Sequence, residues 1–127
     1  AGNVPDKTLG VKFLGRRIDV GITIPGKDLI DKVREAVTGC TKVFSSPLKR
    51  CIETLALVTE KPITREPLLL EIDYGDIDGL YLKQASEKYP KLFDEWKKGE
   101  DPKFPNGENS QDVLNRYLRF IGMLMNL

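Results

Sequence analysis

Apolar and polar residues alternate along this chain in two distinct rhythms. Between Lys27 and Thr38 the apolar side chains Leu29, Ile30, Val33 and Val37 recur at helical spacing, and Gly39 follows as a stop. Thr41–Ser45 reads as a short strand. Ser46-Pro47 then predicts a helix start, with Ser46 as cap and Pro47 in the first turn. That helix runs to about Val58 and gathers Leu48, Ile52, Leu55 and Ala56 on one face. After Lys61-Pro62, the run Leu68-Leu69-Leu70 predicts a second, buried strand, followed by the Gly- and Asp-rich loop Asp73–Gly79. Two short polar helices follow near 82–88 and 91–98, split by Tyr89-Pro90. A last helix from about Ser110, capped by Ser110 or Asn109, carries Val113, Leu114, Tyr117, Leu118, Ile121 and Leu124. Residues 1–26, with five Gly and two Pro, read as an extended loop.

Strand alternating with helix makes the class α/β, in one domain over 1–127. Two strands are too few, however, to cover the apolar faces of these helices. The chain also starts without Met and ends in the apolar stretch Phe120–Leu127, so both ends read as cut. The expectation is an incomplete domain.

Composition narrows the chemistry. With 40% hydrophobic and 31% charged residues over 127 positions, the chain has the makeup of an ordinary globular domain. Twenty Lys and Arg against nineteen Asp and Glu leave a net charge of +1, which provides no broad field for nucleic acid or an anionic membrane. No apolar run is long enough to span a bilayer. Two cysteines, Cys40 and Cys51, are too few for a zinc site without histidine, and a reduced, cytoplasmic chain fits them best. No metal or other cofactor is expected. Histidine is absent altogether, which removes imidazole nucleophiles, bases and ligands from the chain itself.

Three segments remain as candidate chemistry. In Phe44–Arg50 a strand delivers the chain to a helix N-terminus beside Lys49 and Arg50, an arrangement suited to an anion. A well-capped surface helix is the plainer reading. Glu71 closes the apolar run, and partial desolvation would suit it to donating a proton. A solvated carboxylate is the alternative there. The Asp-rich loop does not fit a calcium site, because Tyr74 and Ala85 would occupy ligand positions that require acids. Pro105–Asp112 reads as a turn and a helix start.

In order, these segments resemble the histidine phosphatase superfamily, which includes phosphoglycerate mutase and the α-ribazole phosphatases. Ser45-Ser46-Pro47-Leu48-Lys49-Arg50 with Thr54, Leu70-Glu71-Ile72-Asp73-Tyr74-Gly75 with Gly79, and Pro105-x-Gly107-Glu108 with Asp112-Val113 and Arg116 are similar to three of its motifs. Gly15-Arg16-Arg17-Ile18-Asp19-Val20-Gly21-Ile22-Thr23 with Gly26 resembles a fourth, with one extra residue. Ile77-Asp78 stands where Trp-Glu is common, and Asn109 where Ser is usual.

The resemblance implies a three-layer phosphoglycerate mutase-like fold, here without the strands that carry two catalytic histidines. It implies that Arg50 clamps phosphate, that Glu71 is the general acid, that Asn3 contacts phosphate, and that Thr23 lies on the substrate-side loop. In the family one histidine precedes the segment that Ala1-Gly2-Asn3 continues, and the other follows the last helix. The implied activity is phosphomonoester hydrolysis through a phosphohistidine, nearer the small phosphatases than the mutases, with the chain inactive by itself. The implied partner is a small phosphorylated metabolite, and a second copy or a complementing chain would cover the exposed sheet. A non-catalytic relative that binds a phosphorylated ligand or a protein partner is the alternative; a plain structural domain is a more distant one.

Overall fold

The computed structural model describes residues 6–126, and Asn3 lies outside them. Its elements are α1 (Lys27–Thr38), β1 (Val43–Ser45), α2 (Lys49–Ala56), β2 (Ile63–Arg65), α3 (Leu82–Lys88), α4 (Pro90–Lys97) and α5 (Ser110–Met125), with single 3-10 turns at Pro67–Leu69 and Gly75–Ile77. The chain divides into two compact units. Of the described residues, one unit holds Asp19–Leu70 and the other joins 6–18 with 71–126.

In the first unit β1 and β2 pair in parallel, with Val43 opposite Ile63 and Ser45 opposite Arg65. The connection between parallel strands runs through α2, as a crossover requires. Val43 and Ser45 are buried on β1, and Ser46, Leu48 and Val58 continue that core.

Two expectations change here. The second strand is Ile63–Arg65, upstream of the leucine run, whereas Pro67–Leu69 forms a 3-10 turn. Pro67 has no N–H to give a ladder, and Glu66 accepts the Leu68 N–H at 3.0 Å. The Leu69 and Leu70 N–H groups bond back to Glu66 and Pro67, so the leucines need no neighbouring strand. The start of α2 also moves, from Ser46-Pro47 to Lys49, and Leu48 occupies the cap position without a side-chain bond. The capping oxygen comes from Asp19, which accepts the Lys49 N–H at 2.7 Å. Ser46 Oγ reaches only the Leu48 N–H, at 3.4 Å.

The second unit is built on an aromatic core. Ile77, Ala85, Leu92 and Phe104 are buried, and Phe13, Tyr74, Phe93 and Trp96 pack against them. Ring centroids lie 4.6 Å apart for Trp96–Phe104, 4.8 Å for Tyr74–Phe104 and 5.1 Å for Phe13–Tyr74. The tilted and edge-on arrangements suit the ring quadrupoles. Because Ile77 and Tyr74 both enter this core, the loop between Glu71 and Gly79 is pinned at its middle. At the N-terminus of α5 the Asn109 side chain accepts the Asp112 N–H and Asp112 accepts the Asn109 N–H, a reciprocal cap. Leu114, Leu118 and Ile121 remain about half exposed along α5.

Candidate active site

The chemistry-bearing segments fall into both units. In the first, Arg50 sits half-buried in the opening turn of α2. The Lys49 N–H, which the sequence assigned to an external anion, already donates to Asp19. An anion at this helix start therefore meets a carboxylate of the chain itself. One turn further along, Glu53 accepts the Ile22 N–H at 2.9 Å. Asp19 and Glu53 thus tie the Asp19–Thr23 segment to α2 at two points, and Thr23 is exposed just beyond the second tie.

In the second unit three of the motif segments are hydrogen-bonded to one another around one carboxylate, Glu108. Glu108 Oε1 accepts from Arg16 Nη2 at 2.8 Å, from the Asp73 N–H at 2.9 Å and from Arg116 Nη2 at 3.1 Å. Its Oε2 accepts from Arg116 Nε at 2.9 Å. The Glu108 N–H donates to the Asp73 carbonyl at 2.8 Å, so the Asp73 peptide is held from both sides. The Arg116 and Glu108 side chains keep only 11% and 18% of their exposure. Burial raises the Glu108 carboxyl, but the Arg116 hydrogen bonds, the Asp73 N–H and the two guanidinium charges outweigh it and hold the group below its ordinary value.

Arg17 forms a second tie, with Nε 2.9 Å from Asp73 Oδ1 and Nη2 donating to the Asn106 carbonyl at 2.7 Å. Asp73 is likewise lowered overall: burial opposes its charge, and the bonds from Arg17 and the Gly75 N–H win. Asp78 accepts the Gly15 and Arg17 N–H groups at 2.7 and 2.9 Å. This carboxylate anchors the arginine-bearing loop.

Glu71 stands at the edge of this assembly. Its carbonyl accepts from both Arg16 Nε and Arg116 Nη2, each at 3.1 Å, and its own Oε1 accepts the Ile72 N–H at 2.9 Å. The side chain is exposed, so the desolvation expected of it is absent. The reason is local: the leucines before it form a half-buried turn rather than a buried strand. Glu108, Arg16, Arg116, Asp19 and Glu53 were quoted in the sequence only as motif members or not at all. The signal that could have singled out Glu108 was an acid flanked by two arginine-bearing motifs of opposite charge.

The sequence and the fold are similar to those of known proteins. The profile of the histidine phosphatase superfamily (branch 1) matches residues 2–126. Phosphoserine phosphatase 1 of Hydrogenobacter thermophilus is 34% identical over 85 residues, which is 62% of this chain and 39% of that protein. A 2,3-bisphosphoglycerate-dependent phosphoglycerate mutase of Methylobacterium radiotolerans is 37% identical over 87 residues, covering 63% of this chain and 41% of the relative. A crystal structure of a putative α-ribazole-5'-P phosphatase from Escherichia coli superposes with a TM-score of 0.74 at 23% identity, over 91% of this chain and 60% of that one. The matched regions thus amount to about two fifths of the curated relatives' length. The structural likeness places the helices and the small parallel sheet in the α/β, phosphoglycerate mutase-like fold. The chain belongs to the histidine phosphatase superfamily, branch 1.

Proposed function

We propose that the full-length protein containing this sequence hydrolyses phosphomonoesters of small metabolites through a phosphohistidine intermediate. The observation that carries this reading is the joining of three family motifs around Glu108, with the carbonyl of Glu71 held at their edge by Arg16 and Arg116. The chain has no histidine, so the phosphoryl-accepting imidazole must come from outside these 127 residues, and the chain alone is inactive. In the complete site a histidine attacks phosphorus and the bond to the leaving oxygen breaks. Arg50, a second histidine and Asn3 neutralise charge on the non-bridging oxygens, and Thr23 lies on the substrate side. Glu71 gives its proton to the leaving alkoxide. Water then attacks the phosphohistidine, releasing phosphate, and Glu71 recovers a proton from that water. Two free thiols, Cys40 and Cys51, fit a reducing, cytoplasmic setting. Among the described residues no helix is long and apolar enough to cross a membrane.

The test compares two substrates. O-phosphoserine, suggested by the name of the Hydrogenobacter relative, has a poor alkoxide leaving group that needs a proton. p-Nitrophenyl phosphate releases a stable phenolate that does not. Arg50→Ala should slow both by on the order of 10²–10³. Glu71→Gln should slow O-phosphoserine by on the order of 10²–10⁴ and p-nitrophenyl phosphate far less. A full-length protein that binds phosphate but turns over neither substrate would instead be a non-catalytic relative.

A further inference from the structure

We infer that Glu108 is a positioning residue for catalysis: it bridges Arg16 and Arg116 so that both guanidinium groups hold the main-chain carbonyl of Glu71. This rests on Glu71 being the general acid and goes beyond it, because it assigns the feature that fixes where that acid begins. The geometry is economical in donors. Arg16 donates through Nη2 to Glu108 and through Nε to the Glu71 carbonyl. Arg116 uses Nη2 for both acceptors and Nε for the other Glu108 oxygen. The two cations converge on one neutral carbonyl, and that convergence is stable only because a carboxylate lies between them. Remove its charge and two like charges face each other a few ångströms apart, with the Glu71 carbonyl as their shared acceptor.

The clamp holds the main chain at two points, at the acid itself and two residues after it. The arginines fix residue 71 by its carbonyl, and Glu108 fixes residue 73 by its N–H and its carbonyl. The Glu71 side chain stays exposed beyond this anchored backbone, with its Oε1 accepting the Ile72 N–H, so the placement of the main chain sets where the carboxyl reaches. Reacting groups must be placed within fractions of an ångström, and a displacement of about 1 Å at the main chain costs on the order of 10² in rate. Glu108 acts through the arginines and Glu71 rather than on the substrate itself.

The experiment uses Glu108→Gln in the full-length protein, alone and combined with Glu71→Gln, on both substrates. Turnover of O-phosphoserine by Glu108→Gln should fall on the order of 10² in kcat with KM little changed, whereas p-nitrophenyl phosphate hydrolysis should fall far less. In the Glu71→Gln background the second substitution should cost nothing further, because the group it positions is gone. Equal losses on both substrates, or a full additional loss in the double variant, would overturn the positioning role and leave Glu71 as the acid. Should Glu71→Gln itself treat the two leaving groups alike, the acid assignment fails and the inference with it. If Glu108→Gln does not fold, Arg16→Met removes one donor to the Glu71 carbonyl while leaving the Glu108–Arg116 pair, and the same substrate selectivity decides the question.

Discussion

Two glycines permit the close crossing on which the Glu108 assembly depends. Gly75 has φ of +57°, and a Cβ there would run into the Pro105 carbonyl oxygen; a Cβ on Gly107 would strike the Asp73 carbonyl. Both neighbours are backbone and cannot swing aside. The crossing lets the Asp76 N–H reach the Pro105 carbonyl at 2.9 Å and the Glu108 N–H reach the Asp73 carbonyl at 2.8 Å. Gly75→Ala should therefore destabilise the chain by about 1–2 kcal/mol from the left-handed conformation alone, with the steric clash adding to it. Gly39 offers the contrast. It caps α1 at φ of −84° with nothing within 4 Å of a built Cβ, so Gly39→Ala should be neutral or stabilise by about 0.4–1 kcal/mol. Urea unfolding of the two variants side by side checks both signs. In the sequence all eleven glycines look alike; which of them are obligatory depends on the segment that passes beside each one.

At the scale of elements, legibility follows where the capping groups come from. The boundaries of α1 and α3 match the sequence reading, and α5 begins at Ser110 as expected, because its signals are local: Asn109 and Asp112 cap each other across three residues. The start of α2 lies two residues after the expected one. Its capping oxygen belongs to Asp19, thirty residues upstream, and local capping rules favoured Ser46. Asp19→Ala should cost about 0.5–2 kcal/mol, the usual value of a helix cap. It should also release one of the two ties on the Thr23 loop, leaving the Glu53–Ile22 bond as the other. Thermal unfolding, read with limited proteolysis between Asp19 and Gly26, distinguishes a weakened helix from an unchanged one. The strand error has the same origin. Leu68–Leu70 has the composition of a buried strand, yet Pro67 and the Glu66 side chain satisfy its backbone locally, and the ladder forms instead at Ile63–Arg65.

For the whole molecule, stability in acid should be governed by carboxylates held between arginines. Glu108 and Asp73 both have folded values depressed below their ordinary 4.5 and 3.8. A depressed carboxylate contributes stability that is fully present above its unfolded value and is lost as the pH falls through its folded value. The thermal midpoint should thus be insensitive to these groups at neutral pH and decline once the pH drops below about 4.5. Glu108→Gln should start lower at neutral pH and decline less steeply, as measured by melting curves from pH 7 to pH 3. The order of the motifs, the α/β class and most helices could be read from the sequence. Periodicity, turn chemistry and motif spacing are properties of neighbouring residues. Tertiary structure alone decided that Glu108 joins Arg16, Arg116 and Asp73, that Asp19 caps α2, and that Glu71 is exposed with its carbonyl held. Each of these depends on groups far apart in the chain meeting within hydrogen-bonding distance, and nothing in local sequence encodes which distant charge will arrive.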